Sequence, residues 1–240
     1  MKNKIFSIVL SVVLGLMVLS VSVFGGDDKN GTKPKQPTNP QLSKTQSGKV
    51  GDAYRLFNNN VNLPLNRVGV LADVNIPDPN PIISGPGGKF AGDVSLFSGG
   101  FFLSGVANGT PFANAVASAT LVRDYVAGTV ESGSTDPRAQ LYVVKLSDEP
   151  FGQSWQDWID AVSLGADFYD GDNDGVYNPV DKNGNKVWDL DEDRPDLIGD
   201  ETVWCVYWDG LPTPQRRWNT VPPYGIEVRQ TVFSFASAGA

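Results

Sequence analysis

Twelve acidic side chains lie between residues 167 and 201, against three basic ones. The densest part, DGDNDGVYNPVDKNGNKVWDLDED, occupies residues 170–193. Like charges this close repel, so a compact fold must leave them in solvent, set them against a basic partner, or gather them around a cation. The window nets −9 and the whole chain −8, which leaves the remainder at +1. The acidity is therefore local and asks for a local cause. Nothing in this balance suits nucleic acid or an anionic membrane surface as a partner.

Glycine and asparagine separate the acids at fixed offsets. Counted from Asp170, the residues Asp170, Asp172 and Asp174 take positions 1, 3 and 5 of a D-x-D-x-D-G calcium loop, and Gly175 takes the sharp turn at 6. Val176 at 7 offers its carbonyl, Tyr177 at 8 packs inward, Asn178 at 9 ligates through water, and Asp181 closes at 12. Oxygens at alternate positions of a tightly turning loop converge, and calcium accepts six to eight of them at about 2.3–2.6 Å. Pro179 argues against a full helix–loop–helix. A second loop starts at Asp181, which serves both. Asp181, Asn183 and Asn185 take 1, 3 and 5; Val187, Asp189 and Glu192 take 7, 9 and 12. Lys186 stands where glycine is usual, so a positive φ there is strained and its charge opposes a cation. Fewer carboxylates make the second site the weaker one. A solvated linker is the alternative, but it needs neither Gly175 at that offset nor aromatic residues, Tyr177 and Trp188, at position 8 of both loops.

The chain has no histidine and one cysteine. That excludes Ser-His-Asp and Cys-His catalysis, His-ligated zinc and an intrachain disulfide. Cys205 lies in the apolar run TVWCVYW and reads as a buried, inert thiol. Residues 1–25 read as an export signal: Lys2 and Lys4, the apolar run IFSIVLSVVLGLMVLSVSVF, then small Val23 and Gly25 before a cleavage point. The run is also long enough to remain as an anchor. After removal of the signal no membrane span is expected. Residues 26–50 are polar and read as a disordered linker. Outside the cytoplasm free calcium is high enough for weak carboxylate sites.

The rest is β-patterned. VSLFSGGFFLSGV (94–106), ATLVRDYVAGTV (119–130) and QLYVVKL (140–146) read as strands between Gly, Pro and Asp turns. SWQDWIDAVSLGA predicts one helix, with Ser154 as N-cap, Trp155, Trp158, Ile159 and Val162 as its apolar face, and Gly165 as its stop. ETVWCVYWDG (201–210) and GIEVRQTVFSFASAGA (225–240) read as strands. In the first, Val203, Cys205 and Tyr207 share one face and Trp204 and Trp208 the other. We expect a mainly β, sandwich-like domain with one short amphipathic helix and a tandem calcium-loop insertion. Its divisions are a β-rich part (51–166), the acidic loops (167–201) and strands of an incomplete β domain (202–240). Because the sequence ends within β patterning, we also expect a fragment of a longer chain.

Head-to-tail loops sharing an acid resemble thrombospondin type 3 repeats and dockerin-like EF-hand loops, over residues 170–193 only. More broadly, FYDGDNDGVYNPVDKNGNKVWDLDEDRPDLIGDETVWCVYWDG together with GIEVRQTVFSFASAGA is similar to a region of large secreted proteins of the Bacteroidota and Ignavibacteria lineage. Those proteins usually carry a C-terminal sorting domain for type IX secretion, absent here. The resemblance implies an exported or cell-surface protein and no particular activity.

The functional expectation is a calcium-stabilised extracellular module with a structural or adhesive role. The alternative is a carbohydrate-binding module, or part of a secreted enzyme acting on polysaccharide. Trp188, Trp204, Tyr207, Trp208, Trp218 and Tyr224 could stack on an extracellular glycan or a surface protein, or simply fill a core. No motif pairs the acids outside the calcium stretch (Asp124, Glu131, Asp148, Glu149, Asp157, Asp160, Glu227), so no catalytic residue is assigned.

Overall fold

The computed structural model describes residues 7–11, 47–76, 86–107, 109–118 and 122–236. The expected cleavage point after Gly25 and most of the 26–50 linker lie outside these residues. The strands are β1 (Ser7–Ser11), β2 (Gly48–Gly51), β3 (Ala53–Leu56), β4 (Val61–Asn66) and β5 (Gly88–Phe90). Then follow β6 (Asp93–Leu96), β7 (Phe102–Ala107), β8 (Thr110–Ser118), β9 (Val122–Arg123), β10 (Val126–Ala127) and β11 (Leu141–Lys145). Helix α1 (Gln153–Ser163) precedes β12 (Phe168–Tyr169), β13 (Arg194–Pro195), β14 (Glu201–Trp208) and β15 (Glu227–Ser234). Strands take 36% of the described residues and helix 8%, so the architecture is mainly β, as the sequence predicts. No helix among the described residues is long and apolar enough to cross a membrane.

The largest sheet has the order β1-β15-β14-β11-β2, with β10 also on β14. Three smaller sheets are β3-β4-β5-β6, β7-β8-β9 and β12-β13. β14 is antiparallel to β11 (Val143↔Val203) and to β15 (Val203↔Val232). Residues 202–236 are therefore not a separate unit from 51–166, because one sheet runs through both. Ser7–Ser11, inside the expected signal, lies parallel to β15. The stretch 94–106 holds two strands, β6 and β7. The chain leaves β6 after Leu96, and Gly99 exchanges backbone hydrogen bonds with Leu71 before β7 begins.

The period of β14 explains the layering. Val203, Cys205 and Tyr207 pack with Val143, Val228 and Val232 against Tyr54 and Leu56 of β3 and Leu63 and Leu65 of β4. This is the sheet-on-sheet core of a sandwich. Trp204 and Val206 point the other way and join Tyr142 and Val144 beneath Trp158, Ala161 and Leu164 of the helical layer. Both faces of the strand are thus covered, which is why TVWCVYW is apolar without alternation. Tyr142, Trp158 and Trp204 meet with ring centroids 6.1–6.5 Å apart.

Helix α1 differs from its sequence reading at two points. Its N-cap is Gly152, and Ser154 lies inside the first turn, buried. Its buried face is Ser154, Trp155, Trp158 and Ala161, whereas Ile159 is 42% exposed. The buried face centres on Trp158 and Ala161, with Val162 partly buried against the same core, and Ile159 falls outside it. The stop is as predicted. Gly165, at φ 102°, donates to Val162 O (2.9 Å) and Ala166 N donates to Ala161 O (2.9 Å), the paired bonds of a Schellman end.

Trp158→Ala should therefore destabilise the fold by about 3–5 kcal/mol, whereas Ile159→Ala should cost under about 0.5 kcal/mol, read from urea unfolding midpoints. Burial pushes the Cys205 thiol up to about 12. It should stay inert to a thiol-specific reagent in the native state and react fully once the chain is unfolded.

Candidate metal centre

β12 and β13 pair through Phe168↔Pro195 and Tyr169↔Arg194, so the ends of the acidic stretch are tied together. Residues 170–193 form a closed insertion between them. Two loops within it repeat one pattern of hydrogen bonds. In the first, Asp170 accepts from Asp174 N (3.2 Å) and Gly175 N (2.9 Å), Asp172 from Asp174 N (3.3 Å), and Asp174 from Val176 N (2.7 Å). In the second, Asp181 accepts from Asn185 N (3.2 Å) and Lys186 N (2.8 Å), Asn183 from Asn185 N (2.9 Å), and Asn185 from Val187 N (2.7 Å). The backbone repeats too. Positive φ occurs at Asn173 (60°) and Gly175 (78°), then at Gly184 (76°) and Lys186 (63°). Lys186 thus holds the strained conformation anticipated for it.

The carboxylates of Asp170, Asp172 and Asp174 each place an oxygen within 4.8 Å of the others. Oxygens on opposite sides of a calcium ion at bonding distance are about 4.6–5.2 Å apart. Three hard, anionic ligands at this spacing fit such a cation. The second loop offers one carboxylate, Asp181, and two amide oxygens in the same places. Its Asn183 and Asn185 amides both donate to Asp189 Oδ2, at 2.8 and 2.9 Å. Val176 and Val187 are 61% and 59% exposed, so only their backbones can belong to the loops.

The acids at the end of the stretch divide between the two loops. Glu192, fully buried, accepts from Lys182 N (2.7 Å) and Asp189 N (2.9 Å), positions 2 and 9 of the second loop. The equivalent donors of the first loop are Gly171 N (2.9 Å) and Asn178 N (2.8 Å), and both point to Asp193. Asp193, 2% exposed, thus stands to the first loop as Glu192 stands to the second, while Asp181 is taken up as the first residue of the second loop. Counting along the chain cannot find this, because the acid arrives after the whole second loop. The signal was the adjacent pair Glu192-Asp193: neighbouring side chains diverge, so one can serve each loop. Gly171 permits the approach, since a Cβ there would lie 2.4 Å from the Glu192 backbone.

Position 8 anchors both loops. Tyr177 enters the helix-side core, its hydroxyl donating to Trp155 O (3.1 Å). Trp188 donates Nε1 to Glu192 O (2.9 Å) and lies 4.4 Å under the Arg194 guanidinium. The Lys182 ammonium contacts Asp172 (3.0 Å) and Asp191 O. Hydrogen bonding to that ammonium holds the Asp172 carboxyl below the usual range.

Of the aromatic group in the C-terminal third, Trp204 and Tyr207 are core residues, and Tyr224 packs on Phe112. Trp218 is the exception, at 48% exposed. No family model, no curated protein and no solved structure matches the chain.

The reassignment is testable by amide exchange. Asp193→Ala should speed exchange at Gly171 and Asn178, and Glu192→Ala at Lys182 and Asp189. If Asp181→Ala, rather than Asp193→Ala, released Gly171 and Asn178, the pairing given above would be wrong.

Proposed function

We propose that the chain is a calcium-stabilised extracellular or cell-surface module, structural or adhesive in role, within a larger secreted protein. The observation that carries this reading is the repeated loop pattern, with three aspartates convergent in the first loop. Calcium would bind Asp170, Asp172 and Asp174 and offset their repulsion. The second loop would take calcium more weakly through Asp181, Asn183, Asn185 and Asp189. Because Tyr177 roofs the core over β14, an ordered first loop would brace the helix-side layer. The basic, then apolar, N-terminus supports export, and export supports a weak site, since extracellular modules bind calcium with dissociation constants of about 10⁻⁴–10⁻³ M.

Calorimetric titration of the metal-stripped chain should show calcium binding that Asp172→Ala/Asp174→Ala abolishes at the tighter site. Chelation should speed proteolysis within 170–193 and lower the melting temperature. A folded protein that binds no calcium, or proteolysis indifferent to chelator, would leave the acids as solvated charge and overturn the reading.

A further inference from the structure

A cleft of about 290 Å³ opens between the β7–β8 hairpin and the loop that follows β14. Its lining is Phe102, Ala113, Ala115, Asp124, Arg217 and Trp218. Phe102 pairs with Ala115 across the hairpin, so the small side chains of Ala113 and Ala115 make a floor beside the Phe102 ring. Phe102 is 60% exposed and Trp218 48%, which leaves two aromatic surfaces at one opening. Every other tryptophan in the chain is buried or half-buried.

The polar groups are built in. Asp124, 2% exposed, accepts Ala115 N (2.9 Å) on one oxygen and Arg217 N (3.2 Å) on the other. Two N–H donors use only part of a carboxylate's acceptor capacity. Beneath, the buried Asp209 accepts from Tyr224 N (2.7 Å), Gly225 N (2.8 Å), Ile226 N (2.8 Å) and Asn114 Nδ2 (3.1 Å). Arg216 is also buried and donates to Asp209 O (2.6 Å) and to Asn114 Oδ1. This network pins the loop carrying Arg217 and Trp218 to the β7–β8 hairpin. The two sides of the cleft are thereby held together before any ligand arrives.

We infer that this cleft binds the end of a neutral pyranose chain. A sugar ring presents a C–H face to an indole and a rim of hydroxyls to charged groups. Trp218 and Phe102 supply the face. The Asp124 carboxylate accepts from hydroxyls and the exposed Arg217 guanidinium donates to them. One anion and one cation cancel, so the lining does not select a charged ligand. The volume lies at the lower end for small-molecule sites, which suits a chain end rather than a long groove. The inference does not rest on calcium, because the cleft shares no residue with 170–193.

The test is an array of neutral, amino, uronic and sulphated oligosaccharides, followed by calorimetry with the strongest neutral binder. Neutral pyranosides should bind. Trp218→Ala should weaken binding by about tenfold or more with an unchanged melting temperature, and Trp218→Phe should restore part of it. Arg217→Ala should weaken it as well. Absence of binding across the array would overturn the proposal. So would binding that Trp218→Ala leaves intact, or a preference for acidic glycans that follows Arg217 alone.

Discussion

Strand β14 carries large apolar side chains toward both faces of its sheet, and a strand of that kind is stable only between two layers. Val203, Cys205 and Tyr207 require one cover, and Trp204 and Val206 require another. The first is a second sheet, contributed by β3 and β4. The second is the single helix, set down by Trp158 and Ala161. The hydrogen-bond register of β14 with β11 and β15 then decides which residues share each face. Val143, Val203 and Val232 line up on one side, while Tyr142 and Trp204 line up on the other.

The acidic insertion is bound into this plan rather than hung from it. Its ends are clamped by β12 and β13, and Tyr177 completes the roof over the helix-side core. Inside it, Asp170, Asp172, Asp174, Asp181, Glu192 and Asp193 are each met by backbone N–H groups. Those partial charges reduce repulsion without removing net charge, and they aim side-chain oxygens at a common point. Peptide dipoles alone leave Asp170, Asp172 and Asp174 facing one another within 4.8 Å. The proposed calcium site answers that remaining repulsion. Lys182, lying on Asp172, answers a small part of it from within the chain.

A second polar device organises the far side of β14. Asp209, just past the end of that strand, gathers three consecutive backbone N–H groups of the returning chain, Tyr224 to Ile226. Arg216 and Asn114 complete the cluster. Burying a carboxylate and a guanidinium carries a desolvation cost, and here the bonds from the Arg216 terminal nitrogens and the backbone N–H groups on Asp209 offset part of it, while Arg216 Nε finds no partner. The cluster leaves a long loop with a defined position, and Trp218 and Arg217 with a fixed place on the surface.

Local rules made several features legible in the sequence. Loop positions 1, 3 and 5, the turn at Gly175 and the inward Tyr177 follow from spacing alone. So do the strands at 141–145, 201–208 and 227–234, and the helix end at Gly165. Each depends on residues within one turn or one strand, where sequence separation and spatial separation agree. The partner choices required the tertiary structure. Asp193 meets the Gly171 and Asn178 N–H groups of the first loop although an entire second loop intervenes before the chain returns. Ile159 stays largely exposed because Trp158, Ala161 and Leu164 fill the core beneath α1. The 202–236 region belongs to the same sheet as β2 and β11, across more than half of the described chain. The cleft at Trp218 joins β7, β8 and a loop about a hundred residues later, held by Asn114 and Asp209, which are 95 residues apart. Such pairings arise from burial and hydrogen-bond satisfaction over the whole chain, and no local pattern encodes them.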